Sequence, residues 1–124
     1  MKLFVNGTLM RGEALHQNLD GCTFLAEAQT AAAYRLYALG NGSYPGMIRA
    51  ADSGVTVSGE LYDVPSDLVD GIFAREPPHL YLGVVELADG SQVQGVLCDP
   101  AAAPKYPEIS TYGGWHNWRI AATV

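Results

Sequence analysis

The chain has 124 residues, 48% apolar and 16% charged, with a net charge of −6. That length can bury one core without staples and the composition is globular, so a single domain over residues 1–124 is expected. The seven Lys and Arg are scattered singly, which excludes the clustered basic surface that nucleic acid or an anionic membrane demands.

No charged leader precedes a long apolar run near Met1, and no segment approaches the length of a membrane-spanning helix. A cytoplasmic protein without a membrane partner is expected. Cys22 and Cys98 are too few for a disulfide framework and are expected to be buried free thiols. His16, His79 and His116 lie far apart with no ligand spacing, so no metal site is expected.

In chain order, Leu3-Phe4-Val5 is a short apolar strand that runs into the loop Asn6-Gly7-Thr8-Leu9-Met10. Gly7 lets the backbone turn sharply, and such a loop exposes N–H groups that no ladder uses. Those donors can hold a carboxylate or a developing oxyanion. The plain alternative is a strand-to-helix turn, because Glu13 to Leu19 carries a helical pattern.

Thr23 to Thr30 is a candidate strand, and Tyr34 to Leu39 is a second, closed by the turn Gly40-Asn41-Gly42. Tyr44-Pro45-Gly46 punctuates the chain before the apolar step Met47-Ile48. Val55 to Tyr62 alternates as a strand, in which Gly59 marks a bulge or a close backbone approach. Ser66 is a candidate N-cap for a helix whose apolar face is Leu68, Val69, Ile72 and Phe73. Pro77-Pro78 forces that helix to end near Arg75.

Tyr81 to Leu87 and Gln92 to Cys98, joined around Asp89-Gly90, form the clearest hairpin. Asp99 to Pro107 is an Ala/Pro-rich surface crossing that leads to Ile109-Ser110-Thr111-Tyr112-Gly113-Gly114-Trp115. Strands dominate and the few helices do not alternate with them. The fold class is therefore α+β, a small mixed and strongly twisted β-barrel with two or three short helices.

Glu76 is the leading candidate for acid/base chemistry. It closes an apolar helix beside Phe73, Leu80 and Leu82, and partial desolvation there would raise its pKa. The competing reading is a solvated side chain paired with Arg75, although a helix C-terminus disfavours an acid. Glu60 and Glu86 fall on the polar faces of their strands and are expected to be solvated. Tyr44 and Tyr112 lie beside Gly residues, where an aromatic can wall a pocket. Trp115 and Trp118 are expected to cover the barrel, and Tyr34 and Tyr37 to sit in the core.

Several of these segments together resemble the gamma-glutamylcyclotransferase-like (AIG2-like) fold. They are Val5-Asn6-Gly7-Thr8-Leu9, Tyr44-Pro45-Gly46, Gly59-Glu60-Leu61-Tyr62, and the helix ending in Glu76 before the strand from Tyr81. A closer resemblance, over almost the whole chain, is to the C-terminal domain of allophanate hydrolase. It is carried by Phe4-Val5-Asn6-Gly7-Thr8-Leu9, Thr30 with Tyr34-Arg35-Leu36-Tyr37, Gly83 to Gly90, and Ile109 to Trp115. The last of these motifs is the most specific, since a generic barrel has no need of it.

The resemblance implies a barrel with one cavity, in which the Gly-Thr-Leu loop supplies donors and Glu76 acts as acid/base. On that basis Asn6, Gly7, Thr8, Leu9, Met10, Tyr44 and Tyr112 are the expected substrate-binding residues, with no cofactor. Two departures bear on substrate. Asn6 stands where cyclotransferases usually carry an aromatic, and Pro77 stands where they usually carry Gly. No Ser-rich amidase motif is present. Three functions remain open: an enzyme of nitrogen metabolism acting on a small carbamate or amide, a gamma-glutamyl cyclotransferase, and a non-catalytic module assembling a partner amidase.

Overall fold

The computed structural model describes residues 1–123. Its main sheet has five strands: β1 (Lys2–Val5), β2 (Thr23–Gln29), β5 (Ser58–Asp63), β6 (Leu80–Glu86) and β7 (Gln92–Cys98). Their spatial order is β2-β5-β1-β7-β6. Only the β1–β7 pair is parallel. A second layer is the ribbon of β3 (Tyr34–Leu39) and β4 (Tyr44–Arg49). Two helices, α1 (Ser66–Phe73) and α2 (Trp115–Ala122), complete the α+β fold. Among the described residues no helix is long and apolar enough to cross a membrane.

The two sheet edges meet at one end only. Thr30 bridges Leu87, with the Ala31 N–H donating to Glu86 O at 3.0 Å and the Ala88 N–H to Gln29 O at 2.9 Å. Elsewhere β2 and β6 diverge, so the twisted sheet curls into a barrel-like ring joined at this point. Leu3, Phe4, Tyr34, Leu36, Met47, Val57, Ile72 and Trp115 fill its interior, each almost completely buried. Tyr37 is buried as well.

The hairpin of β6 and β7 closes where the sequence places it, with Gly90 at φ +87°. The turn at Gly40-Asn41-Gly42 likewise holds three successive positive φ values. Several boundaries differ from expectation. Met47-Ile48 and Tyr44-Pro45-Gly46 belong to one paired strand, β4, rather than to a break. Val55 makes only an isolated bridge with Tyr34, and the strand proper begins at Ser58. Pro65, not Ser66, caps α1, and no side chain bonds its first N–H groups.

The pattern from Glu13 to Leu19 condenses to a 3-10 turn, His16–Leu19. Gly12 at φ +81° and the inward turn of the Glu13 carboxylate prevent a full helix. Within the expected surface crossing, Ala103 is fully buried in a 3-10 turn, Ala103–Lys105. Cys98 is buried, whereas Cys22 is only half-buried.

Gly59 is a close backbone approach. A Cβ there would fall on the Val5 carbonyl oxygen and within 2.6 Å of the Phe4 ring. Gly71, inside α1, has no neighbour within 4 Å of the same position. Gly59→Ala should therefore destabilise the protein by about 1–3 kcal/mol. Gly71→Ala should stabilise it by roughly 0.5–1 kcal/mol through helix propensity. Chemical denaturation of the two variants checks both signs; equal midpoints would contradict this packing.

Candidate active site

The loop after β1 is held by hydrogen bonds that face away from its free donors. Met10 N–H donates to Gly7 O at 3.0 Å, Leu15 N–H to Thr8 O at 2.8 Å, and His16 Nδ1 to Leu9 O at 2.9 Å. In a planar trans peptide the N–H opposes the C=O. Binding the Gly7 and Thr8 carbonyls on one side therefore aims the Thr8 and Leu9 N–H groups to the other. Among the described residues no protein acceptor takes the N–H of Gly7, Thr8 or Leu9. Gly7 is required by Pro45, whose ring atoms would lie 2.5 Å from a Cβ.

Asn6, Gly7, Thr8, Leu9, Tyr44 and Glu76 line one cavity, closed by Val5, Pro45, Leu80 and Val96. Its volume is about 20 Å³, room for about one water. A ligand must therefore be very small, or must widen the mouth. Glu76 is half-buried, and that burial raises its pKa above the ordinary carboxylate value while Arg75 opposes the shift. The Asn6 side chain faces the core, where its Nδ2 donates to Met47 Sδ at 3.3 Å. Tyr44 Oη lies 2.7 Å from His79 Nε2, with the two rings stacked. His79 was not legible as part of this group, since nothing near Pro77-Pro78 in sequence points to Tyr44.

Met10 and Tyr112 lie outside this cavity. Met10 is 6% exposed and turns toward a second, larger groove. Tyr112 is 44% exposed. The turn that carries it, Ser110–Tyr112, commits Ser110 inward, where its Oγ accepts Leu36 N–H at 2.9 Å, and this leaves Tyr112 facing solvent.

The second groove has a volume of about 990 Å³ and runs between residues 10–12 and the first turn of α2. Its charged groups are already paired. Glu60, expected on a solvated face, is 8% exposed and accepts from Arg11 N–H, Arg11 Nε and Tyr62 Oη at 2.9, 2.9 and 3.0 Å. Burial alone would push the Glu60 pKa up. The hydrogen bonds from Arg11 and Tyr62 outweigh it and hold the pKa below the ordinary value. The Tyr62 phenol is pushed up to about 12, by burial and then by that same carboxylate. Alternation along β5 did put Glu60 on a polar face, but the loop at residues 10–12 roofs that face. Glu86 is less buried and pairs with Arg49 at 3.3 Å.

Glu13, whose side chain is completely buried, accepts from Trp115 Nε1 at 3.2 Å and His116 Nδ1 at 2.9 Å, and its carboxylate forms an ion pair with Arg119 at 3.1 Å. Trp115 is 1% exposed and Trp118 packs beside it at 5.1 Å between ring centroids. The large groove is therefore walled by internally satisfied structural pairs. The small cavity instead holds free donors and a desolvated acid. Among the described residues no cluster of three His, Cys, Asp or Glu side chains forms a metal site.

Comparison with known proteins agrees with this architecture. The model of the allophanate hydrolase C-terminal domain matches residues 1–120. The crystal structure of a uropathogenic E. coli-specific protein is 38% identical, with a TM-score of 0.90 over 95% of this chain and 94% of that one. Kluyveromyces lactis allophanate hydrolase is 30% identical, with a TM-score of 0.89 over 98% of this chain but only 21% of its own length. A mouse AIG2-like protein, 24% identical, shares the fold with a TM-score of 0.66 over 85% of this chain and 80% of that one. Comparison with curated protein sequences gives no match. By the family model, the identities and the shared architecture together, this chain belongs to the allophanate hydrolase C-terminal domain family.

Proposed function

We propose that this protein acts on a small carbamate- or amide-type metabolite of nitrogen metabolism. The loop from Gly7 to Leu9 holds the substrate's carbonyl or carboxylate oxygen on its N–H groups, and Glu76 moves a proton at the substrate nitrogen. One observation carries the reading: a carboxyl group raised by burial shares a cavity with backbone donors that no protein atom uses. A carboxyl group whose pKa is raised by burial holds its proton to higher pH than an ordinary carboxylate and is suited to act as a general acid. On a carbamate, Glu76 delivers its proton to nitrogen as the C–N bond breaks. The bonding pair leaves with nitrogen, carbon dioxide departs, and the Glu76 carboxylate regains a proton from water. The donors at Thr8 and Leu9 offset the charge on the carbamate oxygens.

Direct assay of wild-type protein for ammonia and carbon dioxide release from carbamate and allophanate tests this. Background rates from both, with no shift of the Gly7 to Leu9 amide signals, would remove the proposal.

The alternatives are less well supported. Asn6 supplies no phenol to the cavity and its amide is engaged with Met47. Release of 5-oxoproline from γ-glutamyl-alanine should stay at background in a chromatographic assay; enzyme-like release would promote the cyclotransferase reading. A module that assembles a partner amidase would be favoured by an exposed apolar face around the tryptophans, yet Trp115, the first residue of α2, is buried and Trp118 packs against it.

A further inference from the structure

We infer that His79 fixes the hydrogen-bond polarity with which Tyr44 faces the Glu76 cavity. It thereby selects ligands carrying an N–H and a carbonyl-type oxygen on one carbon, as primary amides and carbamates do. The inference rests on the cavity being the ligand site under Proposed function.

A phenol has one proton to donate and lone pairs to accept. Tyr44 Oη and His79 Nε2 are 2.7 Å apart, so one hydrogen lies between them. Either Tyr44 donates it, and only lone pairs remain for the cavity, or His79 donates it, and the Tyr44 proton is free to point inward. The neighbours leave Tyr44 little freedom to escape this choice. Its ring stacks on His79 at 5.8 Å and 18°. On its edge, a Cβ at Gly40 would lie 2.7 Å from Tyr44 Cε1, so Gly40 backs the ring closely. The backbone of His79 is tied to the end of β7, where Asp99 N–H donates to its carbonyl at 2.8 Å.

Two arguments give the proton to Tyr44 while the imidazole is neutral. A phenol O–H is more acidic than the N–H of a neutral imidazole and is therefore the stronger donor. The unprotonated imidazole nitrogen is also a better acceptor than a phenol oxygen, whose lone pair is delocalised into its ring. The phenol itself stays protonated, because burial raises its pKa and the charges of Tyr106, Cys98 and Glu76 add to that.

Tyr44 lines the same cavity as Thr8 and Leu9, whose N–H groups are unused; with His79 neutral, its oxygen keeps only lone pairs for a ligand there. An amide satisfies both. A carboxylate sets an oxygen against the Tyr44 lone pairs. Once His79 is protonated, Nε2–H donates to Tyr44, the phenol proton turns inward, and the preference shifts toward carboxylates. Glu76 beside Arg75, Tyr106, Cys98 and Asp99 are the other titratable or charged groups around this pair. The test must therefore separate His79 from Glu76.

Acetamide and acetate are isosteric probes. Long-range nitrogen-15 spectra report the His79 tautomer, and the Gly7, Thr8 and Leu9 amide signals report binding of each probe between pH 5 and 8. The expected result is a neutral His79 unprotonated at Nε2. The ratio of acetamide to acetate affinity should be roughly tenfold higher in wild type than in His79→Phe at the same pH, the worth of one hydrogen bond made rather than lost. Any pH dependence due to Glu76 is common to both proteins and cancels in that comparison.

A proton on Nε2 of neutral His79, or an unchanged acetamide-to-acetate ratio in His79→Phe, overturns the inference and leaves the cavity reading standing. Absence of binding by either probe at every pH overturns the cavity reading and the ligand selection together. The tautomer still decides how Tyr44 is oriented.

Discussion

Glu13→Ala should lower the melting temperature by roughly 8–20 °C, from a loss of about 2–4 kcal/mol. The Glu13 side chain has no solvent exposure and gathers two donors and an ion-pair partner from α2. Truncation leaves the Trp115 indole N–H buried without an acceptor and opens a void beside it. The loss stays below the 3–5 kcal/mol or so expected when a buried ion pair is broken, because His116 and Arg119 are about half exposed and can be hydrated. Glu13→Gln keeps an oxygen for the indole and should cost less than half as much. Thermal melts followed by tryptophan fluorescence distinguish these cases, since Trp115 and Trp118 are in contact. A Glu13→Ala melt within 2 °C or so of wild type would mean that α2 is anchored by apolar packing alone.

Glu76→Gln should reduce turnover of carbamate-type substrates by ~10²–10⁴-fold, the usual loss on removing a general acid/base. Gln preserves size and most hydrogen bonding but cannot exchange a proton at neutral pH. The fold should persist, and stability should report the same carboxyl group independently. The Glu76 pKa is raised in the folded state by burial. Its contribution to stability is thus complete below the unfolded value and is lost as pH rises through the folded one. Gln carries no such loss. The variant should therefore gain stability relative to wild type as pH rises from the ordinary glutamate value through the raised folded-state one. Undiminished turnover with a normal melt would remove Glu76 from the chemistry. A flat stability difference across pH would show the carboxyl group to be solvated.

What the sequence made legible follows the range of the forces involved. Asp89-Gly90 and the alternation around it act locally, so the β6–β7 hairpin was readable to within a residue. The same holds for β3 and the Gly40-Asn41-Gly42 turn. Helix α2 was missed because its anchor, Glu13, lies about a hundred residues away and resembles a surface acid in a helical pattern. Glu60 was misread for a similar reason: a polar face is solvated only if nothing covers it. At the site, burial of Glu76 could be anticipated from Phe73, Leu80 and the prolines. Its approach to the Gly7 loop came only through the family resemblance, since no local pattern joins residues 7 and 76. The outward turn of Tyr112 depends on Ser110 bonding Leu36, a contact between distant segments.

The parallel pairing of β1 with β7 also bears on how the chain is made. Leu3 and Phe4 meet Gln94 and Gly95 on one side, and β5 from Glu60 onward on the other. On a ribosome, then, the central strand emerges long before either neighbour exists. At ordinary elongation rates it waits roughly 5–20 s for β7. Throughout that interval Leu3-Phe4-Val5, destined for the core, keeps at least one edge unpaired, because β5 can cover only the other. Nascent-chain chaperones should accordingly engage this segment until Cys98 has been synthesised, and stalled chains ending before β7 should remain protease-sensitive from residue 1.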